Sequence, residues 1–455
     1  MASIRRWVRA LAPGIAGGVL ACLAVASFAG SPLPADDWQF DRIYLRNGRV
    51  CEGLVIEESP KLVQLWRVQR KPGQPARRAL WTWTPPEIAR IERLDEPQRR
   101  ILADRVDALD PENEKRCLEK LPLFTTSWND DPKGALCYRS EQFVLVSNAR
   151  EDIVRRAAFR LENIYGAFAR FLPPHCVPTG RTRILLAKSV AEYQEMLRQR
   201  GQVFLNSAMY DRQTNEILCA SDLERLSEEA ETNQKLHQQT RSRLRAQEQE
   251  LGRQYRNKVP AKLLDELAQS RAQLDQADRF NKRQVEQETE HLFQLLYHET
   301  WHAYVATNVC PPGKPALPCW LDEGLAQHFE NAILDGTEVR VGHVDSDHLE
   351  RLRHDARKGE LVSLSELLRA GPRQFIAHHI EDKVSSDRYY LYSWAVAHQL
   401  AFERDALRRP DFDRYVQALT AGADAEQAFE QWLREPLNEF EKGLRREFRL
   451  TMAGL

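Results

Sequence analysis

Residues 292–305 read LFQLLYHETWHAYV, and residues 320–329 read WLDEGLAQHF. In the first stretch, His298 and His302 are four positions apart, so a helix with about 3.6 residues per turn places both imidazoles on one face. Apolar residues surround the pair at helical spacing, which predicts a helix. The second stretch has an amphipathic pattern, and residues 311–315 between the two contain proline and glycine. We therefore expect two helices joined by a loop.

Two histidines on one helical face predict a metal site. Neutral imidazole suits zinc, which in catalytic sites keeps three protein ligands and a water. Glu299 lies about a quarter turn from His298, beside the open coordination position. There it can accept a proton from a water whose pKa zinc lowers to about 7. The third ligand is Asp322 or Glu323, because adjacent helical residues point about 100° apart and only one can face the metal.

The two motifs together resemble the gluzincin zinc metallopeptidases, the thermolysin-like clan, and in particular their bacterial peptidase MA-like branch. The resemblance covers residues 292–402 of 455. It implies that Glu323, which precedes a glycine, is the third zinc ligand beside His298 and His302. It also implies a mainly helical zincin-type metallopeptidase domain with a small sheet, and Glu299 as the general base.

The sequence departs from the thermolysin form at one position, since Gln327 stands where that form has an aspartate. A glutamine can donate a hydrogen bond to a ligand histidine but supplies no charge. Residues 389–395, YYLYSWA, resemble the segment that follows the zinc helices in this branch. The resemblance implies that the Tyr390 phenol stabilises an oxyanion. The alternative is that tyrosines at helical spacing beside Trp394 belong to the core.

The first 29 residues have the pattern of a signal peptide. Arg5, Arg6 and Arg9 precede a run of apolar and small residues at positions 10–29. A membrane anchor is disfavoured because the uninterrupted apolar stretch, residues 19–29, is too short to span a bilayer. We expect an exported protein, periplasmic, extracellular or associated with the envelope, with no stable membrane span after signal removal. Processing by signal peptidase I or as a lipoprotein stays open.

Residues 38–95 predict a small β-barrel-like domain, with a hairpin turn at Asn47-Gly48. Residues 96–135 are charged and partly helical, which favours a linker. Residues 136–455 form the expected metallopeptidase domain, with strands predicted at 143–147, 183–187 and 216–220 and a helix at 151–171. The polar stretch 222–290 predicts an inserted coiled-coil-like helical hairpin, broken near its middle at residues 259–260.

Cysteines and the remaining histidines give weaker predictions. Cys310 and Cys319 flank the loop between the two expected helices, and in an exported protein they favour a disulfide over two buried thiols. Residues 343–348 contain two histidines and two aspartates, but their spacing favours a solvated turn. His398 lies in an apolar helix and is expected to be a core histidine with its hydrogen bonds satisfied.

The sequence as a whole predicts an α+β protein that acts as an exported zinc-dependent peptidase on a peptide or protein substrate. The alternative is a non-catalytic envelope binding or adaptor protein with a relic metal site. A formal net charge of −1 gives no electrostatic case for nucleic acid. Cleavage specificity and oligomeric state are left open by the sequence.

Overall fold

The structure is a computed structural model that describes residues 38–450, except residues 72, 179, 203–205, 312 and 376–379. For residues 380–385 it describes the backbone alone. The expected signal peptide, residues 1–29, lies outside the described residues.

An antiparallel sheet of five strands occupies the N-terminal part. Its strands are β1 Asp41–Leu45, β2 Val50–Glu58, β3 Val63–Gln69, β4 Arg77–Trp83 and β5 Ile88–Glu92. The strand order is β4-β3-β2-β1-β5. Among the residues described, β4 and β5 are not paired with each other, so the sheet keeps two edges. The expected barrel closure is not shown, because strand alternation predicts pairing but not whether the two edges meet.

The buried carboxylate of Asp41 ties this sheet together. It accepts hydrogen bonds from the backbone N–H of Val55 at 2.9 Å and of Leu94 at 3.0 Å. The turn between β1 and β2 contains Gly48 with φ +82°, a conformation that favours glycine. The conformation of Gly48 explains why the Asn-Gly pair ends the first strand.

The segment 96–135, expected to be a linker, contains regular structure. It holds α1 Glu96–Ala108, α2 Pro111–Lys120, β6 Phe124–Trp128 and the start of β7 Asp131–Arg139. Asp95 and Asp110 accept hydrogen bonds from backbone N–H groups in the first turns of the two helices. The two strands then pair with each other and join the second sheet.

The second sheet has six strands in the order β10-β11-β9-β8-β7-β6. Its further elements are β8 Phe143–Ser147, α3 Glu151–Phe171, β9 Thr182–Ala187, α4 Val190–Gln199, β10 Ala208–Asp211 and β11 Glu216–Ala220. Strands β8, β9 and β11 are parallel, whereas β10 is antiparallel to β11 and forms an edge. Helix α3 buries its apolar side in the main core. This sheet places β10 beside the helix with the two histidines.

Two long helices follow, α5 Leu223–Gln254 and α6 Ala261–Tyr304. Arg241 contacts Asp275 and Asp278, each at 2.7 Å, and Arg271 contacts Glu248 nearer the connecting turn. Because the residue numbers of these contacts increase along α5 as they decrease along α6, the two helices are antiparallel. Helix α6 continues without a break through His298 and His302 and ends in a π-helical turn, Val305–Val309.

The rest of the chain is mainly helical and encloses the core. Its elements are α7 Cys319–Glu330, β12 Ile333–Asp335, β13 Glu338–Arg340, α8 Ser346–Lys358, α9 Leu364–Leu368, α10 Pro372–Phe375, α11 Ile380–His398, α12 Pro410–Thr420, α13 Ala425–Leu433 and α14 Leu437–Glu447. Trp301, Trp320 and Trp394 are fully buried. None of the helices within the described part of the chain has both the length and the apolar character needed to cross a membrane.

Candidate metal centre

Helices α6 and α7 bring the three predicted ligands together. Trp301 is buried between them, and its indole N–H donates to the Asp322 side chain at 2.9 Å and backbone carbonyl at 3.2 Å. This bond links the helix of the histidines to the helix of Glu323. Trp301, which is buried inside the motif, therefore holds the two helices together and with them the candidate ligands.

The geometry fits one metal ion. His298 Nε2 lies 3.4 Å and His302 Nε2 3.5 Å from Glu323 Oε2. This carboxylate oxygen is buried and has no hydrogen-bond partner among the described residues. One ligand atom from each side chain lies within 4.8 Å of the others. An unsatisfied buried oxygen facing two imidazole nitrogens is costly unless a cation occupies the space between them.

The other ring nitrogens face carboxylates. His302 Nδ1 lies 3.1 Å from Asp322 Oδ2, and His298 Nδ1 lies 3.4 Å from Glu330 Oε2. A carboxylate partner favours the proton on Nδ1, which leaves the lone pair of Nε2 directed at Glu323. Asp322, the rival for third ligand, therefore faces the Nδ1 atom of a candidate ligand histidine instead.

Gln327 does not make the hydrogen bond to a histidine that a glutamine at this position could make. Its side-chain amide donates to the backbone carbonyl of Tyr390 at 2.7 Å, not to a ligand histidine. The negative charge beside the histidines, which a glutamine cannot supply, comes from Asp322 and Glu330. Glu330 follows Glu323 by seven residues, or two helical turns, so this spacing was a signal that the sequence interpretation missed.

The electrostatics of the three ligands favour positive charge between them. Burial lowers the pKa of His298, but the carboxylates of Glu323 and Glu330 outweigh this effect and raise it to about 10. Burial raises the pKa of Glu323, but His302 and His298 outweigh that effect and lower it. A bound cation replaces the protons that the imidazoles would otherwise carry, so metal binding should release protons.

Glu299 lies on the wall of a cavity of about 590 Å³ that also contains the three ligands. Burial raises the pKa of its carboxyl group, while the two neighbouring histidines lower it. The backbone of Tyr210, in edge strand β10, also lowers this pKa. The structure thus places the predicted general base in the same cavity as the candidate metal ligands.

Tyr390 also lines this cavity, from helix α11. Its ring centroid is 6.4 Å from that of His298. Its hydroxyl donates to the backbone carbonyl of Phe375 at 3.0 Å. The side chain is therefore at the site, and the one hydrogen bond described for its hydroxyl is that to Phe375.

Cys310 and Cys319 are both free thiols. The structure does not form the disulfide that the sequence predicts between them. Burial raises the pKa of each thiol to about 11. The position of Glu323 relative to the histidines is held by the Trp301–Asp322 contact and by the packing of α7 on α11, so no covalent link is needed.

Residues 294–420 match a family described as "Protein of unknown function (DUF1570)". The matched segment contains His298, Glu299, His302, Glu323 and Tyr390. No curated protein matches the chain. The matched family has no described activity, so the gluzincin resemblance remains a prediction based on the motifs.

Proposed function

We propose that this protein is an exported zinc-dependent metallohydrolase, and specifically a peptidase with His298, His302 and Glu323 as zinc ligands. The observation that carries the proposal is the approach of both Nε2 atoms to the unsatisfied, buried Oε2 of Glu323. The group contains three protein ligands and no fourth among the described residues. Two imidazoles and one carboxylate are one of the donor sets of catalytic zinc sites, whereas structural sites almost always have four protein ligands.

The chain's own residues supply the proton transfers. A zinc ion held here would polarise a substrate carbonyl and lower the pKa of a water molecule to about 7. Glu299 accepts the proton of the attacking water and delivers it to the leaving amine. Asp322 and Glu330 keep the histidine rings in the tautomer that binds metal.

The cavity wall supports a peptide as the substrate. Ala208, Met209 and Tyr210 of β10 line the cavity, and β10 is an edge of the six-stranded sheet. An edge strand presents unpaired backbone groups that an extended peptide can pair with. A peptide added to β10 would pass beside Glu299. The Tyr390 hydroxyl would exchange its bond to Phe375 for the carbonyl oxygen of that peptide and so stabilise the oxyanion.

A peptide-library digest tests the proposal. Zinc-loaded protein is incubated with a mixed peptide library, and the products are identified by mass spectrometry. We expect cleavage by the parent protein, and a rate about 10²–10⁴-fold lower for Glu299→Gln with its zinc retained. Glu286→Gln, at an exposed position of the same helix, is the control and should cleave at the parent rate.

Two outcomes would count against the proposal. If the zinc-loaded parent cleaves no peptide of the library, the peptidase proposal is replaced by the alternative, a non-catalytic binding or adaptor protein. If Glu299→Gln cleaves as fast as the parent protein, the activity belongs to a contaminant or to another site.

Export is the second part of the proposal and is supported by the pattern of residues 1–29. The motifs at residues 24–26 and 27–29 both suit signal peptidase. N-terminal sequencing of the protein exported by a bacterial host should find Ser27 or Gly30 as the first residue. An unprocessed chain retained in the cytoplasm would contradict this part.

A further inference from the structure

His398, the last residue of α11, does not fit the expectation of a satisfied core histidine. Its side chain is buried, with an exposed fraction of 2%. Nδ1 is buried and has no hydrogen-bond partner among the described residues. The other nitrogen, Nε2, lies 3.6 Å from Glu403 Oε1, too far for a hydrogen bond. The ring is therefore buried and directed at a carboxylate without bonding it.

A π-helical turn creates this arrangement. Residues Gln399–Glu403 form the turn, and the backbone N–H of Arg404 donates to the carbonyl of Gln399 at 3.0 Å, five residues earlier. With this spacing, residues five apart lie on the same side of the helix, which brings Glu403 over His398. Glu447 comes from a different element, the end of α14. One ligand atom from each of the three side chains lies within 4.8 Å of the others.

The carboxylates of Glu403 and Glu447 lie close together, and no cationic side chain of the described residues is bonded to both of them. Burial and the charge of Glu403 raise the pKa of Glu447, and Arg404 only partly offsets them. The Arg404 guanidinium is bonded to Glu435 and lies 4.7 Å above the Phe440 ring. In the part of the chain that the structure describes, no arginine or lysine forms an ion pair with Glu403 or Glu447. The two carboxylates are thus without an ion pair to an arginine or lysine in the described part of the chain, and both are exposed to solvent.

We propose that His398, Glu403 and Glu447 bind a second divalent transition-metal ion, separate from the candidate centre on α6 and α7. An imidazole with two carboxylates is a mixed nitrogen and oxygen donor set that zinc and manganese accept. Ligand atoms about 2.1 Å from a tetrahedral ion lie about 3.4 Å apart, close to the 3.6 Å between His398 and Glu403.

This second ion would link the end of α11 to the end of α14. Helix α11 packs on α7, the helix of Glu323, so the ion stabilises the C-terminal support of the candidate centre. Its affinity should be lower than that of the first site, because both carboxylates are exposed and water completes the coordination. The proposal does not depend on peptidase activity.

Zinc binding to the full chain tests the proposal in a variant that lacks the first site, His298→Ala/His302→Ala. Equilibrium dialysis against a series of free zinc concentrations, followed by elemental analysis, should find one zinc per chain. Adding Glu403→Gln or Glu447→Gln should weaken binding by at least about tenfold. Glu439→Gln, at an exposed position of α14, is the matched control and should bind as the parent does.

The same titration in the protein with the first site intact guards against misfolding of the double variant. There we expect two zinc ions per chain at saturation, and one in Glu403→Gln/Glu447→Gln. A single ion in the intact protein, or two ions unaffected by both glutamine substitutions, would overturn the proposal. Because the substituted carboxylates are exposed, circular dichroism should show unchanged helix content in the variants that carry only glutamine substitutions.

Discussion

Gly324, directly after the candidate ligand Glu323, allows α7 to approach α11 closely. A Cβ atom at this position would lie 2.4 Å from the backbone oxygen of Ser393 and 2.8 Å from the Cβ of Ala397. The first of these neighbours is backbone inside a helix and cannot move alone. We therefore predict that Gly324→Ala destabilises the protein and displaces Glu323.

The magnitude follows from two opposing effects. Alanine in place of glycine inside a helix gains about 0.5–1 kcal/mol. Overpacking a core costs about 1–3 kcal/mol, and a contact this short belongs at the upper end of that range. The expected net loss in the free energy of unfolding is about 2 kcal/mol. Displacement of Glu323 should also weaken zinc binding.

A matched substitution isolates the close approach. Gly166, in α3, has only Arg170 within reach of an added Cβ, at 3.5 Å, which is an ordinary contact. Gly166→Ala should therefore stabilise the protein by about 0.5–1 kcal/mol. Urea unfolding followed by tryptophan fluorescence measures both variants. The reasoning is refuted if Gly324→Ala is as stable as Gly166→Ala.

Three further predictions concern the surroundings of the site. Asp322→Asn should lower zinc affinity about 10–100-fold in calorimetric titration, because its carboxylate orients a ligand histidine; an unchanged affinity would remove that role. A hydrogen bond from His348 lowers the pKa of Asp345 to about 2. The ionised Asp345 therefore contributes stability above pH about 4, and this contribution is lost as pH falls toward 2. Asp345→Asn should abolish this part of the acid-induced decrease in the urea midpoint. Iodoacetamide should alkylate both Cys310 and Cys319 in the denatured protein without prior reduction, since both are free; mass spectrometry that finds the two unmodified would indicate a disulfide.

The features that depend on nearby residues could be read from the sequence. The His-Glu-x-x-His spacing and the Glu-Gly pair each lie within one helix, and the structure brings their side chains together. The predicted strand at 143–147 and helix at 151–171 coincide with β8 and α3. Strong alternation or helical periodicity over a short window is enough for such elements.

Features that depend on distant contacts could not be read in this way. Strand β7 contains Pro132 and Gly134, which argue against a strand, but pairing with β6 and β8 overrides that preference. The orienting role of Asp322 depends on the angle between two helices. No pattern in the sequence predicted the π-helical turn after His398. Without this turn, Glu403 would not face the histidine ring.

Tightly bound zinc is the most direct test of the central claim, that His298, His302 and Glu323 hold a metal ion. The mature protein is loaded with zinc and dialysed against zinc-free buffer, so that the weaker second site is emptied, and its metal content is determined by elemental analysis. We predict one zinc per chain in the parent protein and in Glu299→Gln, and little or none in Glu323→Ala. Absence of zinc from the parent protein, or full retention in Glu323→Ala, would contradict the account.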